Sequence, residues 1–214
     1  CICFNGSKVY DVQTNEVLYD QLISVPECKQ VLHHMKQFDV VPVVMKDNYM
    51  YVENVFNCMI RENGKDLNIL EYESHGNHYL LCEVPDLEEF LNFELNKILC
   101  YGEPKYLQDH YQLMEQPFND SLNSMFTAPI YYEFTAKDVD KAKALETVLS
   151  NMGYKQEEMI AFGDAQNDIS MVKFAGLGIA MGNAIAELKA VADHVTDSCK
   201  DNGIANALYK FKVI

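Results

Sequence analysis

The sequence has 214 residues, 49% of them hydrophobic and 23% charged, which suits one large domain or two small ones with a sizeable core. Its formal net charge of −15 argues against nucleic acid or an anionic membrane as a partner, because both carry the same sign. No apolar run reaches the roughly 18 residues of a transmembrane helix. Seven scattered cysteines without a C-x-x-C pair or zinc spacing predict reduced thiols in a cytoplasmic protein.

The first 20 residues predict short strands. Cys1–Phe4 is an apolar run that ends at Asn5-Gly6, a pair typical of turns. Lys8–Val12 and Glu16–Tyr19 alternate between apolar and polar residues, which predicts a β-hairpin.

The middle of the chain, from about residue 20 to residue 130, mixes helical and strand patterns without strict alternation. Such a mixture is typical of an α+β unit. The predicted helices lie at Pro26–Phe38, Leu87–Leu95 and Pro104–Met114, and the predicted strands at Val40–Met45, Tyr49–Val52, Lys97–Tyr101 and Met125–Thr127. A further strand is predicted at Tyr131–Thr135, after which the order of helical and strand patterns changes.

After Thr135 helices and strands alternate regularly with short loops. This pattern predicts a parallel sheet with helices on its faces. The predicted helices lie at Val139–Met152 (closed by Gly153), Ile169–Ala175, Ala184–Ala192 and Ile204–Phe211, and the predicted strands at Met159–Phe162, Leu177–Ala180 and His194–Thr196.

Two carboxylates lie in one short loop behind the strand that ends at Phe162. Gly163-Asp164 follows this strand, and Asp168 comes four residues later at the start of a helix. Ligands of parallel sheets bind beyond the carboxyl ends of the strands, and paired carboxylates suit a hard cation such as Mg²⁺. Asn167 beside the helix start can donate to a phosphate oxygen. From spacing alone a structural alternative stays open, in which Asp168 is a helix cap and Asp164 a turn residue.

The sequence around this loop carries a family resemblance. The run from Ile160 to Met171 reads I-A-F-G-D-A-Q-N-D-I-S-M and resembles the G-D-x-x-N-D-x-x-M motif of haloacid dehalogenase-type phosphatases. The run from Ala175 to Ala184 reads A-G-L-G-I-A-M-G-N-A and resembles the A-G-x-x-V-A-M-x-N-A run of the Cof-type branch.

Three further segments extend the resemblance over the chain. Lys141 matches the family's motif lysine, although Ala142 follows it where the family usually has Gly. Asp201–Ile204 resembles the closing D-G-V with Asn202 inserted, and Ile2–Gly6 resembles the third core strand. The resemblance is strong over residues 136–206 and weaker in the middle of the chain.

The resemblance implies a role for each matched residue. Asp164 looks like the Mg²⁺ ligand, and Asp168 like the carboxylate that holds a metal-bound water or a neighbouring group. Asn167 looks like a phosphate contact, and the counterpart of Asn5 lies near the substrate. Lys141 looks like the cation that pairs the nucleophile with the phosphoryl oxygens. A lysine and Mg²⁺ together neutralise the charge of a transferring phosphoryl group.

The resemblance also implies the architecture: an α/β fold with a partial Rossmann-like core of parallel strands and an inserted α+β cap. Residues 1–20 and 131–214 are expected to form the core, and residues 21–130 the cap. The cap would choose the substrate, but its sequence gives no specific substrate signal. The oligomeric state stays open, and a homo-oligomer is one of the alternatives.

The family's D-x-D-G-T motif, which supplies the aspartate nucleophile and the general acid, does not occur in these 214 residues. Asp138-Val139-Asp140 is followed by Lys141 and opens the lysine helix, so it is no substitute. We expect the motif to lie upstream of Ile2, in two βα units of roughly 40 residues. Their absence would leave a gap in the sheet. Either the sequence is a truncated form of a full phosphatase, which we favour, or it is a short gene product that fills the gap by dimerisation or rearrangement.

The leading functional hypothesis is a Mg²⁺-dependent phosphomonoester hydrolase of small phosphorylated metabolites, with sugar phosphates as candidates, whose activity these residues alone would lack. The alternative is a non-catalytic phosphate-ligand-binding or regulatory module. Ion-pumping ATPases share a similar metal loop, but no transmembrane segment is predicted here. The glycines at 176, 178 and 182 miss the G-x-G-x-x-G spacing of a dinucleotide site, and we expect them to serve turns and close helix–sheet packing.

Overall fold

The computed structural model describes residues 1–62 and 65–214, and these form two compact units. We call Cys1–Asp20 together with Val139–Ile214 the terminal unit, and Gln21–Asp138 the inserted unit. The predicted boundary after residue 20 agrees with this division. The second boundary lies after Asp138 rather than after residue 130, because the strand at Tyr131–Ala136 is hydrogen-bonded into the sheet of the inserted unit.

The terminal unit begins with the predicted hairpin. Strands β1 (Ile2–Cys3), β2 (Lys8–Tyr10) and β3 (Val17–Asp20) form an antiparallel sheet in that order. A 3₁₀ turn at Phe4–Gly6 joins β1 to β2. Gly6 has a φ of 100°, and a Cβ atom there would lie 2.7 Å from the carbonyl oxygen of Asp140, so only glycine fits this contact.

The inserted unit is an α+β unit, as predicted. Its helices are α1 (Val25–Met35), α2 (Ile69–Asn77), α3 (Leu87–Phe90) and α4 (Pro104–Glu115), and its strands are β4 (Val41–Lys46), β5 (Tyr49–Val52), β6 (Met59–Glu62), β7 (Lys65–Asn68), β8 (Leu80–Glu83), β9 (Lys97–Tyr101), β10 (Leu122–Ala128) and β11 (Tyr131–Ala136). Six strands form one sheet in the order β10-β11-β9-β4-β5-β8, and β6 pairs with β7 in a separate hairpin. The sequence prediction made no assignment between residues 53 and 86.

One helix of the inserted unit is shorter than predicted. The pattern over Leu87–Leu95 predicted a nine-residue helix, but α3 ends at Phe90 and Leu91 is extended. The reason is that Leu95 forms a backbone bridge with Ile23, in which each residue donates its N–H to the carbonyl of the other. Strand-like pairing therefore replaces the second half of the predicted helix.

The second segment of the terminal unit alternates as predicted. Its helices are α5 (Lys141–Met152), α6 (Ile169–Phe174), α7 (Ala186–Lys189) and α8 (Gly203–Lys210), and its strands are β12 (Ile160–Gly163), β13 (Leu177–Ala180) and β14 (His194–Val195). The three strands form a parallel sheet in chain order. Val172, Ala180, Met181 and Leu188 build the core between this sheet and its helices.

The terminal unit thus holds two separate three-stranded sheets. Within residues 1–62 and 65–214, β12 pairs with β13 along one edge and with no strand along the other. A discontinuity of this kind was expected from the sequence. On α5, Ala144 is buried, whereas Met152 at the end of the predicted apolar stripe is 60% exposed.

None of the helices in the described part of the chain has both the length and the apolar character needed to cross a lipid bilayer.

Candidate functional site

The candidate site begins where β12 ends. Gly163 closes the strand, Asp164 follows it, and a 3₁₀ turn at Gln166–Asp168 leads into α6. The Oδ2 atom of Asp168 accepts the backbone N–H groups of Asp164 (3.0 Å) and Ala165 (3.3 Å). Asp168 therefore ties the loop back onto the strand end. Its side chain makes no cap hydrogen bond to α6, so this structural role differs from the helix cap that the sequence left open.

Close packing at Gly163 makes this arrangement possible. A Cβ atom on Gly163 would lie 2.5 Å from the Cβ atom of Asp168, which is closer than two non-bonded carbon atoms can approach. The buried Asp168 therefore fits against the strand because residue 163 has no side chain.

Lys141 contacts Asp168 from the first turn of α5. Its Nζ atom lies 2.6 Å from Oδ1 of Asp168, and the two side chains are 23% and 11% exposed. Burial by itself raises the pKa of Asp168, but the hydrogen bond from Lys141 and the N–H groups of Asp164 and Ala165 outweigh it and hold the pKa below its ordinary value. Asp168 thus stays ionised, and three donors already occupy its two oxygens.

Asp140 fixes the position of Lys141. Its Oδ1 atom accepts the N–H groups of Ala142 (2.7 Å) and Lys143 (3.2 Å), so Asp140 is the N-cap of α5. The D-x-D at residues 138–140 therefore serves to start the lysine helix, in agreement with the sequence interpretation.

Asn5 and Asn167 meet although 162 residues separate them in the chain. The Nδ2 atom of Asn167 donates to Oδ1 of Asn5 at 3.0 Å. Asn5 has a φ of 58°, in the left-handed region that asparagine tolerates better than most residues. The turn behind β1 and the turn behind β12 thus bring the two predicted phosphate contacts together.

Asp164 has the opposite environment to Asp168. It is exposed, and its Oδ2 atom accepts a hydrogen bond from Nδ2 of Asn183 at 3.1 Å. In the described part of the chain no other side chain bonds to the Asp164 carboxylate, which leaves Oδ1 without a protein partner. Asn183 lies in the A-M-G-N-A run, and the resemblance assigns it no role.

The donors present fit a partly hydrated Mg²⁺. Mg²⁺ prefers oxygen ligands and commonly takes one or two carboxylates, with waters or phosphate oxygens for the rest. Asp164 offers one such oxygen, and the ionised Asp168 lies beside it. The residues that the structure describes contain no cluster of three or more His, Cys, Asp or Glu side chains able to enclose a metal. These residues can therefore supply part of a Mg²⁺ shell.

The glycines downstream of the loop have packing roles, as expected. A Cβ atom on Gly178 would lie 2.1 Å from the carbonyl oxygen of Val172 in α6, and one on Gly182 would lie 2.6 Å from the backbone nitrogen of Ser198. Both positions allow backbone segments to approach closely, so this geometry gives no support to a dinucleotide site.

Comparison with known proteins places this geometry in a family context. Residues 1–208 match the family model described as haloacid dehalogenase-like hydrolase. The Streptococcus pyogenes serotype M6 protein M6_Spy0533, a provisionally assigned phosphatase, is 27% identical over 98% of this chain and 74% of its own length. The Bacillus subtilis 5-amino-6-(5-phospho-D-ribitylamino)uracil phosphatase YcsE is 41% identical over 42% of this chain and 36% of its own length.

Solved structures show the same likeness. A haloacid dehalogenase-like hydrolase from Bacteroides thetaiotaomicron superposes with a TM-score of 0.83 at 25% identity, over 97% of this chain and 74% of that one. The subclass IIB sugar phosphatase BT4131 gives a TM-score of 0.78 at 25% identity, over 98% of this chain and 74% of that one.

Proposed function

This chain belongs to the haloacid dehalogenase-like hydrolase family, and we propose that it carries the metal- and phosphate-binding residues of a Mg²⁺-dependent phosphomonoester hydrolase. The observation that supports this most is the convergence of Asp164, Asp168, Lys141, Asn5 and Asn167 at the end of β12. These side chains come from three distant parts of the sequence and supply carboxylates, a cation and amide donors in one place.

Each residue has a task that its contacts support. Asp164 would hold the cation through Oδ1, while Asp168 keeps the Lys141 ammonium beside the loop. Lys141 can attract a phosphoryl oxygen, and the amides of Asn5 and Asn167 can orient the ester. When bound, Mg²⁺ supplies positive charge that neutralises the phosphoryl oxygens.

The substrate we propose is a small phosphorylated metabolite, with a sugar phosphate as the first candidate. The support is the likeness to the sugar phosphatase BT4131 over 98% of this chain. The formal net charge of −15 argues against nucleic acid or an anionic membrane as a partner.

The nucleophile is the open part of the proposal. The family resemblance places it in a D-x-D-G-T motif, and these 214 residues contain none. We therefore expect these residues alone to release little or no phosphate.

The test is phosphate release from a panel of sugar phosphates and other phosphomonoesters, with and without Mg²⁺. It compares the 214 residues with a form of the protein that includes a D-x-D-G-T segment. We expect turnover only in the longer form with Mg²⁺, and loss of that turnover in its Asp164→Ala variant. Full activity in the variant would refute the metal-site assignment, whereas ester binding without turnover in both forms would favour the binding module.

A further inference from the structure

The turn that follows β13 holds the main chain of Asp164. Its backbone donates twice to the end of β12 and the loop behind it: the N–H of Met181 to the carbonyl of Gly163 (2.9 Å), and the N–H of Ile185 to the carbonyl of Asp164 (3.0 Å). Ile185 has an extended backbone (φ −62°, ψ 156°), so α7 begins at Ala186 and not at residue 184 as the sequence pattern predicted. The first residues of the predicted helix support the acidic loop instead.

Asn183 extends this support to the side chain of Asp164. Its Nδ2 atom donates to Oδ2 of Asp164 at 3.1 Å, and its Oδ1 atom accepts the backbone N–H of Cys199 at 3.1 Å. An asparagine amide has one accepting and one donating end. Since Cys199 presents a donor, the donating end of Asn183 must face Asp164.

The turn around Asn183 is itself anchored. The N–H of Gly182 donates to the carbonyl of Asp197 (3.0 Å), and Nζ of Lys189 donates to the carbonyl of Gly182 (2.6 Å). Asn183 therefore acts from a fixed backbone, although its side chain is exposed.

We propose that Asn183 is a positioning residue that presents Asp164 to a divalent cation. Its bond to Oδ2 restricts the rotation of the carboxylate of the exposed Asp164, while Oδ1 has no protein partner in the described part of the chain. An unsupported aspartate at the surface changes rotamer freely, and a cation that binds it must order it. Asn183 orders the Asp164 side chain before a cation binds. Because Asn183 is a neutral donor, the negative charge of Asp164 stays available to the cation. The inference rests on the proposed function, because it requires Asp164 to be the metal ligand.

The experiment measures affinity for Mn²⁺ by electron paramagnetic resonance of the free ion, in the form of the protein that includes a D-x-D-G-T segment, because the 214 residues supply only part of the metal shell. Mn²⁺ shares the oxygen-ligand preference of Mg²⁺. Asp164→Ala should abolish site binding. Asn183→Ala should weaken it by about tenfold, the lower end for a partner of a metal ligand, because the contact is exposed. Asn183→Gln keeps both amide functions and should restore part of the loss.

Asn77→Ala is the matched control. Nδ2 of Asn77 donates to Oε2 of Glu73 at 3.0 Å in the inserted unit, so this variant also loses an exposed amide–carboxylate bond. Its Mn²⁺ affinity should equal that of the wild type. Thermal unfolding without metal should give similar midpoints for Asn183→Ala and Asn77→Ala. If Asn183 had a purely structural role, the midpoint of Asn183→Ala would instead be lower than that of Asn77→Ala.

Each outcome separates the two claims. Wild-type affinity in Asn183→Ala, together with no binding in Asp164→Ala, overturns the positioning role and leaves the metal site intact. Unchanged affinity in Asp164→Ala overturns the metal site and with it the proposed function. A lowered metal-free midpoint in Asn183→Ala that Asn183→Gln does not restore also overturns the positioning role.

Discussion

Asp164 and Asp168 lie four residues apart, yet their carboxylates have different surroundings. Asp168 is buried and accepts from Lys141 and from two backbone N–H groups. Asp164 is exposed and accepts from Asn183 alone among the described residues. One aspartate therefore holds the loop together, and the other has a free oxygen for a ligand.

This contrast predicts different costs for the two alanine variants. Asp168→Ala leaves two partly buried N–H groups and the Lys141 ammonium without their acceptor, and should lower the free energy of unfolding by about 1–3 kcal/mol. Asp164→Ala removes one exposed hydrogen bond and should change it by no more than about 0.5 kcal/mol. Urea unfolding at neutral pH measures both. Equal losses in the two variants would contradict the division of roles.

At the residue level, the sequence predicted which side chains would meet but not how they are bonded. The motif G-D-A-Q-N-D pointed to Asp164, Asn167 and Asp168 because their spacing is local. The bond between Asn183 and Asp164 depends on the adjacent placement of β12 and β13, which local spacing does not encode. The Asn in the A-M-G-N-A run was the available signal for it.

At the scale of elements, the start of α1 shows how local sequence fixes a boundary. Ser24 and Glu27 form a capping box: the N–H of Glu27 donates to Oγ of Ser24 (3.5 Å), and the N–H of Ser24 donates to Oε2 of Glu27 (3.3 Å). Pro26 lies in the first turn, where a backbone N–H has no acceptor within the helix, so the missing N–H of proline costs the helix no hydrogen bond.

We expect Ser24→Ala to lower the free energy of unfolding by about 1 kcal/mol, because the first turn of α1 loses its side-chain acceptor. Ser150→Ala is the control, since Ser150 is an exposed residue inside α5 and alanine is the better helix former. This control should be neutral or slightly more stable in thermal unfolding. A loss in Ser150→Ala equal to that in Ser24→Ala would contradict the capping role.

Elements with local signals were predicted well, and those set by distant contacts were not. β5 and β9 match their predicted bounds, since short continuous apolar runs define them. α3 and α7 are shorter than predicted: Leu95 pairs with Ile23 beyond the end of α3, and Ile185 before α7 has an extended backbone. In the segment between residues 53 and 86, Asn68 caps α2 by accepting the N–H groups of Leu70 and Glu71. The strands of this segment are too short to show a clear alternation of apolar and polar residues.

At the scale of the whole molecule, the change from mixed helix and strand patterns to regular helix–strand alternation predicted two units. The second boundary was misplaced because Tyr131–Ala136 is an apolar strand that suits a buried position in either unit. Its register with β9 and β10 assigns it to the inserted unit, and pairing of this kind is not visible in a single strand's sequence.

The inserted unit also buries several phenols, and this makes its stability sensitive to alkaline pH. Burial, followed by the proximity of Cys58 and Glu103, raises the pKa of Tyr101 to about 12. Burial and a hydrogen bond to Glu73 raise the pKa of Tyr131, and burial and a hydrogen bond to Glu115 raise that of Tyr132. The folded state therefore favours the neutral phenols more strongly than the unfolded chain does.

A folded pKa above the unfolded value of about 10 contributes stability that is fully present below pH 10 and is lost as the pH rises towards 12. For Tyr101 the loss amounts to roughly 2–3 kcal/mol. Tyr101→Phe should unfold with a shallower pH dependence between pH 10 and 12, measured by urea titrations at each pH. Tyr209→Phe, at a 66% exposed position, is the control and should follow the wild type. Parallel curves for all three proteins would show that ionisation of Tyr101 is not coupled to unfolding.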